Sequence, residues 1–233
     1  MDPIRRIFDA ALTVPVRLDY LAYAPSGPRP AAGWPLVLFL HGAGERGSDV
    51  ARVADVGLPR DVEAGLALPA RVVAPQCPAD TIWSQHLHAL LGLLDHVLSE
   101  GDVDPDRVVL TGMSMGGGGT WHLGATAPER FAALAPVCGT RTWFIGDGPP
   151  TDALRRLPIW AFHGEDDDVV DAEASRVQVA ALQAAGADVR LTLYPGVGHD
   201  AWAKAYPTPE LWAWALAQRR TGGAGAAAAR RTS

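Results

Sequence analysis

The stretch Val108-Val109-Leu110-Thr111-Gly112-Met113-Ser114-Met115-Gly116-Gly117-Gly118-Gly119-Thr120-Trp121-His122-Leu123 changes character within a few residues. It opens with a short apolar, β-branched run, as a strand covered on both faces requires. It then passes through a serine flanked by glycines and continues into residues able to start a helix. G-x-S-x-G between a strand and a helix puts the serine on a sharp corner, exposed above the sheet. Side chains flanking that corner would collide with the neighbouring strand and helix, and Gly112 and Gly116 remove them. In a helix each glycine of the run Gly116 to Gly119 costs about 0.5–1 kcal/mol relative to alanine. A chain that tolerates this near a helix start needs close packing there. Ser114 is therefore a candidate nucleophile at the positive end of a helix dipole, and the N–H of Met115 a candidate oxyanion donor.

Working outward, short apolar runs recur at Leu36 to Leu40, Arg71 to Ala74, Phe131 to Val137, Ile159 to Phe162 and Val189 to Tyr194, while Arg17 to Tyr23 alternates. Between them lie helical patterns. His86 to Leu98 carries the stripe Leu87, Leu90, Leu91, Leu94 and Leu98. Ala172 to Ala185 stops before Gly186, and Pro209 to Arg220 places Leu211, Trp212, Ala215 and Leu216 on one side. Strand alternating with helix predicts an α/β fold, a mostly parallel sheet with helices on both faces. One domain is expected over residues 1–220, with a disordered Gly/Ala-rich tail at 221–233. The link Gly139 to Pro150, with Trp143 and Phe144, is the one candidate for a cap and is short, so a minimal cap over an open site is expected.

Bulk composition bounds the partners. The 233 residues carry a formal net charge of −6, with 48% hydrophobic and 20% charged residues. That balance is ordinary for a soluble globular protein and argues against nucleic acid or an anionic membrane as a partner. No segment approaches the roughly 20 apolar residues that span a bilayer. Arg5 and Arg6 are followed by Asp9 and Pro15 rather than by an apolar stretch, so no signal peptide is expected. Cys77 and Cys138 form neither a metal motif nor a disulfide framework and read as buried free thiols, which points to a cytoplasmic protein.

Gly42-Ala43-Gly44-Glu45-Arg46-Gly47 matches the G-x-G-x-x-G of dinucleotide-binding proteins, which makes an oxidoreductase a rival reading. The strand after it ends in Pro75-Gln76, however, and not in an acidic residue able to hold a ribose hydroxyl. His41-Gly42-Ala43-Gly44 fits better as a loop lending a backbone N–H to an oxyanion. No cofactor and no metal is expected. A serine hydroxyl needs a base, and the base needs orienting. Downstream of Ser114 stand His122, read as a helix-surface residue, His163, read as supporting a turn, and His199. His199 lies in Gly196-Val197-Gly198-His199-Asp200, a glycine-flanked loop flexible enough to swing an imidazole toward Ser114. The acid is expected within Glu165-Asp166-Asp167-Asp168, and mutual repulsion forbids all four from pointing inward.

His41 to Gly47, Pro75-Gln76-Cys77-Pro78 with Trp83, Gly112 to Gly117, and Gly196 to Trp202 occur together in this order over most of the chain, from about Tyr20 to Trp202. In this the chain resembles bacterial carboxylesterases of the α/β-hydrolase fold, a predicted peptidase or phospholipase/carboxylesterase group related to polyhydroxybutyrate depolymerases and feruloyl esterases. The resemblance implies a triad of Ser114, Asp167 and His199. The family pattern H-G-x-x-D-x-x-V laid on His163-Gly164 falls on Asp167, with Asp166 as second choice. It also implies Ala43 and Met115 as oxyanion donors. Trp83 and Trp202 are candidates for lining an acyl or alcohol pocket, with ordinary core packing an equally open reading for each, and Gln76 is a further substrate-binding candidate. Two departures stand out: Gly118 replaces a frequent aromatic residue, and Asp171 a common proline, which would leave the acid loop less rigid. Related dienelactone hydrolases use a cysteine nucleophile, so the serine argues against their activity.

The expected reaction is two-step acyl transfer on a small-molecule ester, with thioesterase or small peptidase chemistry on the same residues as the alternative. A catalytically silent binding protein is a third reading, disfavoured because every catalytic residue type is present in order. Ester hydrolysis should fall as pH drops through about 6–6.5, where a free imidazole protonates. A kcat/KM profile flat across that range would contradict His199 as the base.

Overall fold

The computed structural model describes residues 15–25, 27–140 and 151–220. Residues 141–150 of the expected cap, Gly139 to Pro150, and the tail at 221–233 lie outside the described residues. Seven strands build the sheet: β1 (Tyr20–Tyr23), β2 (Trp34–Leu40), β3 (Arg71–Pro75), β4 (Val103–Met113), β5 (Ala133–Val137), β6 (Ile159–Gly164) and β7 (Val189–Tyr194). Their order is β1-β3-β2-β4-β5-β6-β7; β1 runs antiparallel to β3 and all other pairs are parallel. The helices are α1 (Gly57–Glu63), α2 (Leu87–Ser99), α3 (Met115–Thr126), α4 (Thr151–Leu154), α5 (Ala172–Ala184), α6 (Trp202–Ala205) and α7 (Pro209–Ala215). Among the described residues no helix is long and apolar enough to cross a membrane.

Strand β2 explains why the sheet needs cover on both sides. Leu36, Leu38 and Leu40 join one apolar cluster with Leu90, Leu94 and Val97 of α2 and with Val179 and Leu182 of α5. Val37 and Phe39, pointing the other way, join a second cluster with Leu58 of α1 and Leu211, Trp212 and Ala215 at α7. The alternation of a strand thus feeds two layers, and this is the α/β-hydrolase fold. Helix α7 is shorter than its pattern predicts, ending at Ala215, yet Leu211, Trp212, Ala215 and Leu216 are all buried as the pattern requires. Only the second half of the Arg17–Tyr23 alternation pairs as a strand.

The chain leaves β2 toward one edge of the sheet and returns to place β4 on its other side. Loops following two such strands meet at the switch point, where open α/β sheets bind ligands. Leu40, the last residue of β2, is in register with Gly112 of β4. The two turns are so close that a Cβ on Gly116 would overlap the carbonyls of Leu40 and His41, and one on Gly112 would overlap Leu40 and Gly116. Gly116→Ala should therefore cost about 3 kcal/mol or more, or abolish folding, by overpacking against backbone that has nowhere to move. Gly92, exposed on α2 with open space around its Cα, is the contrast. Gly92→Ala should gain about 0.5–1 kcal/mol. Urea unfolding of the two variants beside the wild type checks both signs.

Candidate active site

Four strands deliver the site from their C-terminal ends. Ser114 follows β4 as the residue before α3, with φ +53° and ψ −118°. Positive φ is costly for a residue with a side chain, and it turns the hydroxyl out of both the strand and the helix. The Ser114 N–H donates to the Val137 carbonyl at 3.0 Å, pinning the turn to β5. Met115 opens α3, so its N–H is one of the first-turn amides without an intrahelical acceptor. His122 is 2% exposed rather than on the surface, because every residue from Met115 to Gly124 is buried where the glycines let α3 settle onto the sheet.

Asp167 follows β6, and it alone of the four consecutive acidic residues is buried; Glu165, Asp166 and Asp168 are exposed. Its Oδ1 accepts the N–H groups of Val169 and Val170, each at 2.9 Å. Burial pushes the Asp167 carboxyl upward, but those two N–H groups and His199 outweigh it and hold the group below the usual carboxylate range. It is therefore an anion and accepts only. Hence His199 Nδ1–H donates to Asp167 Oδ2 at 2.8 Å, and the Ser114 hydroxyl donates to His199 Nε2, also at 2.8 Å.

The loops bearing Asp167 and His199 are tied together. Asp166 N–H donates to the Val197 carbonyl and Glu165 N–H to that of Tyr194, both at 3.0 Å. A Cβ on Gly164 would overlap the carbonyls of Val197 and Gly198, so glycine permits this approach. The His199 loop is thus anchored, where its glycines had suggested freedom to swing. Asp171, standing for the common proline, caps α5 by accepting the Glu173 N–H at 2.8 Å. Trp202 stands edge-on to the His199 ring, centroids 5.5 Å apart, and walls the imidazole.

The loop after β2 completes the site. Ala43 is exposed there, and a Cβ on Gly42 would lie 3.7 Å from Ser114 Cβ. His41, fully buried, accepts the Cys77 N–H at Nε2 (2.9 Å), which leaves the proton on Nδ1 for the Gly42 carbonyl at 2.6 Å. That carbonyl belongs to the same peptide unit as the Ala43 N–H, so His41 sets the direction of the proposed donor. Arg46 Nε–H donates to the Ala43 carbonyl at 2.8 Å and Arg52 to that of Gly44, also at 2.8 Å. Two residues expected in the substrate pocket are instead braces beneath this loop. Trp83 is 1% exposed and donates its indole N–H to the His41 carbonyl at 2.9 Å. Gln76 is 3% exposed, with its amide donating to the carbonyls of Glu45 (2.8 Å) and Asp49 (2.7 Å). His41 was passed over as a site residue; its place directly before Gly42 was the available signal. The chain continues from Gly47 into a 3₁₀ turn, Val50–Ala54, and not into the phosphate-binding helix of a dinucleotide fold.

Residues 78–226 match the model of the dienelactone hydrolase family. The chain belongs to that family. Acyl-protein thioesterase 1 of Gibberella zeae is 34% identical over 116 residues, covering 46% of this chain and 48% of that protein. Poly(3-hydroxyoctanoate) depolymerase of Pseudomonas fluorescens is 27% identical over 221 residues, covering 82% and 76% respectively. A crystal structure of a thermostable esterase superposes with a TM-score of 0.72 at 35% identity, over 86% of this chain and 59% of that one. The chain of this dienelactone hydrolase family member thus spans about half the length of the thioesterase and under two thirds of that esterase.

Burial lowers the His41 pKa to about 4. The unfolded chain, with histidine near 6.5, takes up a proton that the folded chain refuses, so stability is lost as pH falls from about 6.5 to about 4. This site accounts for up to about 3 kcal/mol across the window. Urea midpoints at pH 7, 6, 5 and 4 should fall more steeply for wild type than for His41→Gln, whose side chain does not titrate.

Proposed function

We propose that this protein is a serine carboxylic-ester hydrolase. The observation that carries the reading is the unbroken line Ser114 Oγ to His199 Nε2 at 2.8 Å and His199 Nδ1 to Asp167 Oδ2 at 2.8 Å, built from three separate loops. Similarity to an esterase and to a poly(3-hydroxyoctanoate) depolymerase supports the same class. His199 Nε2 takes the Ser114 proton as Oγ attacks the ester carbonyl, and the carbonyl electron pair moves onto oxygen. The backbone N–H groups of Ala43 and Met115 receive that charge. His199 then protonates the departing alcohol, leaving Ser114 acylated. Water attacks the acyl-enzyme with His199 again as base, and as the acyl–Oγ bond breaks His199 returns the proton to Ser114 and the carboxylic acid leaves. Asp167 stays ionised throughout, orienting the imidazole and stabilising its charged form. Fixing these groups beforehand is what lowers the barrier, since none has to move to meet the charge.

Thioester hydrolysis on the same residues is the second reading, favoured by the likeness to acyl-protein thioesterase 1. The wild type should hydrolyse p-nitrophenyl acetate and butyrate, and Ser114→Ala should lose about 10⁴–10⁶-fold in kcat. A variant that retains wild-type turnover would remove the serine mechanism. Running S-butyrylthiocholine beside its oxygen ester ranks the two substrate classes by kcat/KM.

A further inference from the structure

A second histidine stands behind the acid. His163 in β6 and Asp167 both have 0% side-chain exposure. His163 Nε2 lies 2.8 Å from the Val170 carbonyl oxygen and 3.0 Å from Asp167 Oδ2. A carbonyl oxygen accepts only, so this nitrogen carries a proton. On the far side of the ring Nδ1 lies 2.7 Å from the hydroxyl of Ser175, which is 3% exposed on α5. In the neutral ring that hydroxyl donates to Nδ1 and keeps the proton on Nε2. Asp167 Oδ2 is thus flanked by two imidazole nitrogens, His199 Nδ1 at 2.8 Å and His163 Nε2 at 3.0 Å. Ser114, His199 and Asp167 are hydrogen-bonded in line, and His163, whose Nε2–H is given to the Val170 carbonyl, stands 3.0 Å behind the carboxylate with Ser175 behind it in turn.

With both side chains fully buried, the N–H dipole of His163 acts on the nearby carboxylate in a setting of weak screening. It favours the ionised carboxylate and disperses its charge, which weakens the pull of Asp167 on the proton of His199. The Val170 bond has a second effect: it closes the acid loop onto β6 and so fixes where Asp167 stands. We infer that His163, oriented by Ser175, is a positioning residue that holds the acid loop and tempers Asp167, so that His199 is freed of its proton at lower pH. This inference rests on the serine-hydrolase reading above. Among the described residues the Cys138 thiol, just after β5, also lies beside Asp167 and His199, with Asp200 near the thiol. Burial pushes the Cys138 thiol well up and keeps it neutral, so it adds no charge beside the carboxylate.

The test is the pH dependence of kcat/KM for p-nitrophenyl acetate from pH 5 to 9, for wild type, His163→Leu, His163→Gln and Ser114→Ala. In His163→Leu, folded by circular dichroism, the acid limb should move up by roughly 0.5–1 pH unit. His163→Gln keeps an N–H donor, and its limb should return toward wild type. A limb that stays in place or moves down in His163→Leu, whatever the rate, overturns the inference, as does an equal upward shift in both variants. If His163→Leu does not fold, nitrogen-15 NMR of the wild-type imidazoles decides. An Nε2 of His163 without a proton between pH 6 and 8 overturns the inference, and a protonated Nε2 sustains it. Turnover by Ser114→Ala equal to wild type would instead defeat the serine reading itself. An inactive Ser114→Ala with an unmoved His163→Leu limb defeats only the role of His163.

Discussion

The site hangs on a near-contact between two stretches of backbone. Where β2 ends and the turn into α3 begins, no space for a Cβ exists between Gly112 or Gly116 and the carbonyls of Leu40 and His41. This approach brings the loop after β2 alongside Ser114, and it exists because β2 and β4 are parallel neighbours, with Leu40, the last residue of β2, in register with Gly112. Any side chain on Gly116 would push the loop away from the serine. A nearly apolar helix start, otherwise a poor choice of residues, is the means by which two loops come together.

What surrounds that junction serves to stop it moving. His41, Arg46, Arg52, Trp83 and Gln76 each hold a carbonyl of the segment 41 to 49, and His41 holds the one adjoining the Ala43 N–H. On the opposite side, backbone bonds join the Asp167 loop to the His199 loop, and Gly164 again permits the approach. Preorganisation of this kind makes a dipole effective, since it stabilises a developing charge without first having to turn. The same rigidity gives a buried neutral histidine its pH cost, because the loop cannot open to hydrate it while the fold persists.

Much of this was legible beforehand. Strands and helices followed from apolar runs and from breaks at glycine and proline, and Ser114, Asp167 and His199 stand within one line of hydrogen bonds. The misreadings share one cause. His122 is expected on a helix surface and Trp83 and Gln76 are candidates for touching substrate, yet each is buried. A polar or aromatic side chain near a motif has the same sequence signature whether it touches a substrate or supports the loop that does. Asp167 differs from Asp166 and Asp168 in that its oxygen meets two backbone N–H groups of the turn, a match of loop geometry that no residue letter encodes.

The sequence by itself determined the doubly covered sheet, the corner at Ser114 and the set of residue types available for acyl transfer, because local sterics and periodicity act between near neighbours in the chain. Only the tertiary structure decided which acid is buried, how His41 aims the Ala43 peptide and how His163 reaches the back of Asp167. The partners are near one another in the chain, but only the folded turns bring them together, and which way each proton points is set by a group from further away, the Cys77 N–H behind His41 and the Ser175 hydroxyl behind His163.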